Sequence, residues 1–234
     1  MVGDDLSPGS PSRSSVKHST ALRSPHRALR IGVLALQGDF ARHAEVLERL
    51  GVRSVPIRLP NQMEQVDGLI IPGGESTTLG KLMSRFGLDE AILRCAREGM
   101  PIFGTCAGMI VLAKEIEGSD QPKLGLMNIT VRRNAFGRQV NSFETDLDVP
   151  EIGQGPVRAV FIRAPFVTEV KNSAKVLAAL DEGTVVLVRE GNCLAAAFHP
   201  ELTDDTRVHT YFLQMCSEAA RSTGGPGENT GDFR

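Results

Sequence analysis

The chain has 234 residues, with 26 lysines and arginines against 28 aspartates and glutamates, a formal charge of -2 and 41% apolar residues. At roughly 150 residues per domain this is one generous domain or two small ones, with enough apolar material for a sizeable core. The charge balance speaks against a protein built to grip nucleic acid, whose surface carries net positive charge. The apolar runs all fall short of the roughly 18 residues that would suggest a membrane span.

Four cysteines, Cys95, Cys106, Cys193 and Cys216, are widely spaced, and the five histidines form no close cluster with them. Zinc knuckles and dithiol redox motifs need paired ligands, so no metal or other cofactor is expected. Met1 to Ala28 is rich in Ser, Pro, Gly and basic residues and lacks an apolar run that would offset the entropy of ordering, so a disordered extension is expected. It also lacks the apolar segment of a secretory signal, and Asp4 and Asp5 count against an organelle-targeting peptide, which leaves a reducing cytoplasm as the expected setting. The tail 221–234 is expected to be loose, leaving 29–220 as a single domain.

The run Leu29 to Leu36 has the length and apolar character of a strand covered on both faces. Phe40, Ala44, Leu47 and Leu50 then fall at helical spacing, with Gly51 placed to end the helix. Val66 to Ile71 predicts a short buried strand broken by Pro72-Gly73-Gly74. Leu79, Leu82, Met83 and Phe86 give one helical face, and Leu88, Ile92 and Cys95 another, up to Gly99. Pro101 to Thr105 predicts a strand and Ala107 to Glu115 the helix behind it. Strand candidates come next at Ile129 to Arg132, Val157 to Ile162, Val185 to Arg189 and Cys193 to Phe198; Val208, Phe212, Met215 and Ala219 mark a last helix. Alternation of strands and helices predicts a three-layer α/β/α domain around a largely parallel sheet, with a strand-rich second half. Cys95, Cys193 and Cys216 are expected to be packing thiols, and His43 and His209 partly exposed helix residues.

Phe103-Gly-Thr-Cys106-Ala-Gly108 sets a cysteine between strand and helix in a G-x-C-x-G pattern. Small residues on either side permit a sharp turn that lifts a nucleophile clear of the sheet, and the amides of a helix N-terminus favour its thiolate. Phe198-His199-Pro200-Glu201 comes directly after the last strand candidate. In extended backbone residues two apart share a side, and Pro200 keeps His199 from turning helical, so Glu201 can orient one ring nitrogen while the other faces the thiol. That is the nucleophile, base and orienter set of acyl transfer, and a strand end in a parallel sheet is where such a site belongs. Pro72-Gly73-Gly74-Glu75-Ser76 is a third strand end, whose glycines let amides turn outward; Gly74 and Ala107 are the candidate oxyanion donors. The segment lacks the spacing and lysine of a phosphate-binding loop.

FGTCAG, FHPE and PGGES together resemble the class I glutamine amidotransferases, whose glutaminases use a Cys-His-Glu triad. LALQGD (34–39), PGGESTT (72–78), GTCAGM (104–109), AKEIEGSD (113–120), RRNAFGRQVNSFE (132–144), FIRAP (161–165) and FHPELTDD (198–205) more narrowly resemble the glutaminase subunits of pyridoxal 5'-phosphate synthases. The resemblance runs from Ile31 to Met215 and implies hydrolysis of L-glutamine to glutamate and ammonia by Cys106, His199 and Glu201. It implies a glutamine site formed by Gly74, Glu75, Ser76, Arg133, Ile162 and Arg163, and a role for Gln37 in meeting a synthase partner and arranging the oxyanion loop. The implied partner is a (β/α)8-barrel synthase that receives ammonia through a channel. A glutaminase serving another synthase, or a non-catalytic regulatory subunit with the same fold, are the alternatives; the RRNAFGRQ and LALQGD signatures oppose the first and the intact triad opposes the second.

Overall fold

The computed structural model describes residues 28–133 and 142–223. The sequence expectations for 1–27, for 224–234 and for the signature residues 134–141 lie outside these residues.

The first half alternates strand and helix: β1 (Arg30–Leu34), α1 (Phe40–Arg49), β2 (Arg53–Ile57), β3 (Gly68–Ile71), α2 (Ser76–Arg85), α3 (Leu88–Arg97), β4 (Ile102–Thr105) and α4 (Ala107–Leu112). Strands dominate the second: β5 (Ala113–Ile116), β6 (Met127–Arg132), β7 (Ser142–Leu147), β8 (Val157–Ile162), β9 (Phe166–Val170), β10 (Lys175–Ala179), β11 (Val185–Glu190) and β12 (Cys193–Ala196), before α5 (Arg207–Thr223). A ten-stranded sheet runs in the order β2-β1-β3-β4-β12-β11-β9-β6-β5, with β10 beside β11, and β7 and β8 form a separate hairpin pair.

From β2 to β12 every pairing is parallel. The inner strands β3, β4 and β12 are buried at every position and almost wholly apolar, as strands covered on both faces must be, whereas β2 at the edge is largely open. Beyond β12 the pairings around β11 and β9 are antiparallel, and β5 and β6 restore a parallel pair.

Alternation along β4 defines the layers. The Phe103 ring packs against His43 of α1 and His209 and Phe212 of α5. Gly104 turns to the other face, where a Cβ would stand 2.5 Å from the backbone of Gly108 in α4. Helices α1 and α5 therefore cover one face of the sheet and α4, with α2 packed on it, the other. Among the described residues no helix is long and apolar enough to cross a membrane.

Two expectations are corrected. The helix predicted over Ala107 to Glu115 stops at Leu112, because 113–116 pairs with β6 and the amides of Leu124 and Gly125 take the Val111 carbonyl; strand pairing overrides helical propensity there. His43 and His209, expected to be partly exposed, have no solvent exposure. Each lies within the apolar stripe of its helix, beside Val46 and Leu47 in α1 and beside Val208 and Phe212 in α5. Cys95, Cys193 and Cys216 are buried and not in disulfides, as expected of packing thiols.

Candidate active site

Parallel strands β3, β4 and β12 end at the same edge of the sheet, and the three turns that leave them converge there. After β4 the chain turns at Cys106 with φ 49° and ψ -103°. A non-glycine residue holds such backbone only when its surroundings enforce it. Here they do: the Cys106 amide donates to Ala196 O at 2.8 Å, anchoring the turn to β12, while Gly104 and Gly108 allow α4 to close onto the sheet. A Cβ on Gly108 would collide with the Ile71 carbonyl oxygen at the end of β3. The G-x-C-x-G glycines thus serve close backbone approach, and the cysteine itself takes the strained conformation.

His199 is fixed by its amide, which donates to Val160 O at 2.8 Å, and Pro200 opens the short turn Pro200–Leu202 that swings Glu201 beneath the ring. His199 Nδ1 and Glu201 Oε1 lie 2.7 Å apart with both side chains buried. The remaining ring nitrogen is left for the Cys106 thiol, which lies with the His199 ring against Gly73. Burial alone would lower the His199 pKa, but bonds to Cys106 and Glu201 and their charge outweigh it and raise it to about 10. For Glu201 burial favours the neutral acid, yet the facing His43 and His199 hold its pKa below the ordinary value. The trio is therefore poised for proton exchange between thiol and imidazole with the carboxylate charged.

Gly73 packs against both members of the pair, since a Cβ there would meet the His199 ring and lie 3.4 Å from Cys106 Cβ. Gly74 is next, at φ 148°, in backbone that favours glycine. The Gln37 side chain, from the turn after β1, braces this loop: its Oε1 accepts from Glu75 N at 3.2 Å and its Nε2 donates to Glu75 O at 3.4 Å. Gln37 is thus brought to the Gly74 loop. Ala107 is the first residue of α4, directly after Cys106.

Glu75 caps α2, accepting from Thr77 N at 3.0 Å and Thr78 N at 2.7 Å. Desolvation is the largest single influence and opposes ionisation, but the Thr78 hydroxyl and these amide bonds together outweigh it and lower its pKa to about 2. Arg133 approaches the same carboxylate at 3.4 Å. Ser76 Oγ and Thr77 Oγ1 donate to Gln121 Oε1, each at 3.2 Å, and Arg133 Nη1 donates to the same oxygen at 2.8 Å. Gln121 and Thr77 are members of this cluster that sequence reasoning missed; Gln121 stands immediately after the AKEIEGSD signature, which was the available signal. Ile162, at the end of β8, offers its carbonyl to Cys106 Sγ at 3.9 Å and leaves its side chain half-exposed, and Arg163 is the next residue, with φ 44°. The structure therefore gathers Cys106, His199, Glu201, Gly74, Ala107 and Ile162 at one point, with Glu75, Ser76 and Arg133 in an adjoining hydrogen-bonded cluster. Among the described residues no group of His, Cys, Asp and Glu could hold a metal ion.

A buried thiol on a strained strand-to-helix turn, beside a histidine that a carboxylate orients, at the edge of a largely parallel sheet between two helix layers, is the architecture of a class I glutamine amidotransferase. Residues 33–218 match the SNO glutamine amidotransferase family, and the chain belongs to that family. It is 59% identical over 186 residues to the pyridoxal 5'-phosphate synthase subunit PdxT of Carboxydothermus hydrogenoformans, covering 80% of this chain and 97% of that protein. The PdxT subunit of Moorella thermoacetica is 60% identical over 187 residues, covering 80% of this chain and 99% of the relative. A solved glutamine amidotransferase structure, 50% identical, superposes with a TM-score of 0.76 over 80% of this chain and 98% of its own.

Proposed function

We propose that the chain is the glutaminase subunit of a pyridoxal 5'-phosphate synthase, converting L-glutamine to L-glutamate and ammonia. The observation that carries the chemistry is the strained Cys106 set beside His199, with Glu201 at 2.7 Å behind the ring. Near full-length identity to PdxT subunits supports the choice of pathway.

Cys106 Sγ attacks the side-chain amide carbon of glutamine as its proton passes to His199. The amides of Gly74 and Ala107 receive the negative oxygen of the tetrahedral intermediate. Collapse breaks the C–N bond, and His199 returns the proton to the departing nitrogen, giving ammonia and a γ-glutamyl thioester. Water, deprotonated by His199, then releases glutamate and the thiol.

Glu75, Ser76, Arg133, Ile162 and Arg163 form the glutamine site. Because Glu75 is committed to capping α2 and faces Arg133, its part is to hold that arginine and the α2 terminus in place as much as to meet the substrate ammonium. Gln37 adjusts the Gly74 loop when a (β/α)8-barrel synthase docks, its two hydrogen bonds to Glu75 being the mechanical link. Docking matters because ammonia released into neutral water is largely protonated and loses its nucleophilic lone pair. The setting is the reducing cytoplasm, a reading supported by four buried cysteines that form no disulfide.

The deciding experiment measures glutamate release from glutamine by the full chain alone and with stoichiometric barrel synthase. Strong activation on mixing is expected. Equal release in both would reject docking control, and silence in both would reject the glutaminase.

A further inference from the structure

Behind the proposed triad lies a second polar layer. Glu201 uses Oε1 on His199, while Oε2 is fully enclosed and receives no hydrogen bond among the described residues. The group facing Oε2 is His43 Nε2 from α1, 3.4 Å away, in a pair with no side-chain exposure on either partner. The same nitrogen lies 3.2 Å from Thr105 Oγ1, the residue before Cys106, and His43 Nδ1 lies 3.0 Å from His209 Nε2 of α5.

The arrangement dictates where the protons sit. An ionised carboxylate only accepts, so a bare Nε2 on His43 would aim its lone pair at Oε2 across a low-dielectric gap. Nε2 therefore carries the hydrogen. Burial lowers the pKa of His43 and pushes that of His209 down to about 3, so both rings are neutral. Neutral His43 then accepts at Nδ1, and His209 donates to it from Nε2. This leaves His209 Nδ1 as the bare nitrogen, and like Glu201 Oε2 that atom is enclosed with no hydrogen-bond partner among the described residues.

We propose that His43, with its tautomer locked by His209, is a positioning residue that holds the Glu201 carboxylate ionised and in register with His199. The proposal rests on reading Cys106, His199 and Glu201 as the triad. Removing the N–H leaves Oε2 desolvated with nothing facing it, which favours protonation of Glu201. His199 then loses its charged partner, and its hold on a transferred proton weakens on the acid side. The charged and titratable groups acting on this pair are Glu201 and His199 after β12, Asp39 at the start of α1 and Arg49 at its end, alongside the polar Thr105 of β4.

The test compares His43→Leu, His43→Gln and wild type as full chains with the barrel synthase. Gln keeps an N–H near the Nε2 position; Leu removes it. His43→Leu is expected to lower kcat for glutamine hydrolysis about tenfold with little change in KM, the size expected when a buried carboxylate loses the polar group that faces it. Its acid limb should move to higher pH by about half a unit or more, and His43→Gln should restore the limb. A fall in kcat with an unmoved limb, or a Gln variant no better than Leu, overturns the proposal. Iodoacetamide labelling of Cys106 against pH, read by mass spectrometry on the chain alone, gives the same comparison without turnover. If wild type releases no glutamate the functional reading fails, and the labelling limb still decides: displaced in His43→Leu it supports the positioning role, unmoved it rejects it. Should His43→Leu fail to fold, His209→Phe keeps the ring packing on Phe103 but removes the donor to Nδ1. It is expected to shift both limbs in the same direction by a smaller amount, and no shift rejects the relay.

Discussion

Cys106 stands in backbone that cysteine rarely adopts, and the strain is held by a 2.8 Å bond to β12 and by the glycines of the turn. His199 and Glu201 are two positions apart, and the short helical turn Pro200–Leu202, rather than extended backbone, brings them to 2.7 Å. If His199 moves the proton and Glu201 only orients it, the two substitutions must differ. His199→Ala is expected to abolish glutamine hydrolysis, whereas Glu201→Gln should retain a measurable residue, checked by steady-state glutamate release in the complex. Equal and complete loss would assign Glu201 a part in holding the local fold. The raised His199 pKa also carries a stability consequence. A histidine lifted from 6.5 to about 10 on folding stabilises the native state fully below pH 6.5, and the contribution is lost as pH climbs toward 10. The Tm of wild type is therefore expected to fall more steeply across that window than the Tm of Glu201→Gln, in which the charged partner is gone. Parallel curves would mean that the imidazolium is not held by Glu201.

The elbow is a property of paired elements. Gly108 lies so close to the end of β3 that a methyl group would strike the Ile71 carbonyl, and α4 would have to lift from the sheet. Gly108→Ala is expected to destabilise the chain by about 1 to 3 kcal/mol, the range for overpacking, read as a lower urea midpoint at unchanged slope. It should also depress glutamine hydrolysis, because α4 carries Ala107. A variant as stable as wild type would show that the helix has room to shift. Helix α4 also shows where periodicity fails. Residues Ala107 to Glu115 fit a helix, but 113–116 pairs with β6, a contact between segments separated in sequence and invisible to a local pattern. Strands β2, β5, β7, β9 and β10 are absent from the sequence expectations for a related reason. Arg53–Ile57 contains Pro56, and Ser142–Leu147 and Lys175–Ala179 mix polar and apolar residues, as strands outside the doubly covered core can.

Across the whole molecule, the proposed division of labour places hydrolysis in this chain and synthesis in its partner. Cys106→Ala is expected to abolish glutamine-dependent synthesis of pyridoxal 5'-phosphate by the complex while leaving ammonia-dependent synthesis intact. Loss of both in a complex that still forms would reject that division. The sequence by itself determined the alternating core, the elbow glycines, and the Cys106, His199 and Glu201 set, because buried parallel strands and strand-end turns leave local signatures of composition and spacing. Only the tertiary structure decided that His43 and His209 are interior groups stacked behind Glu201, and that Gln121 gathers Ser76, Thr77 and Arg133. A single histidine in an apolar stripe does not announce whether it is buried. The answer depends on which helix faces which strand, and here that is set by β4, whose Phe103 and Thr105 turn toward α1 and α5 while Gly104 turns toward α4.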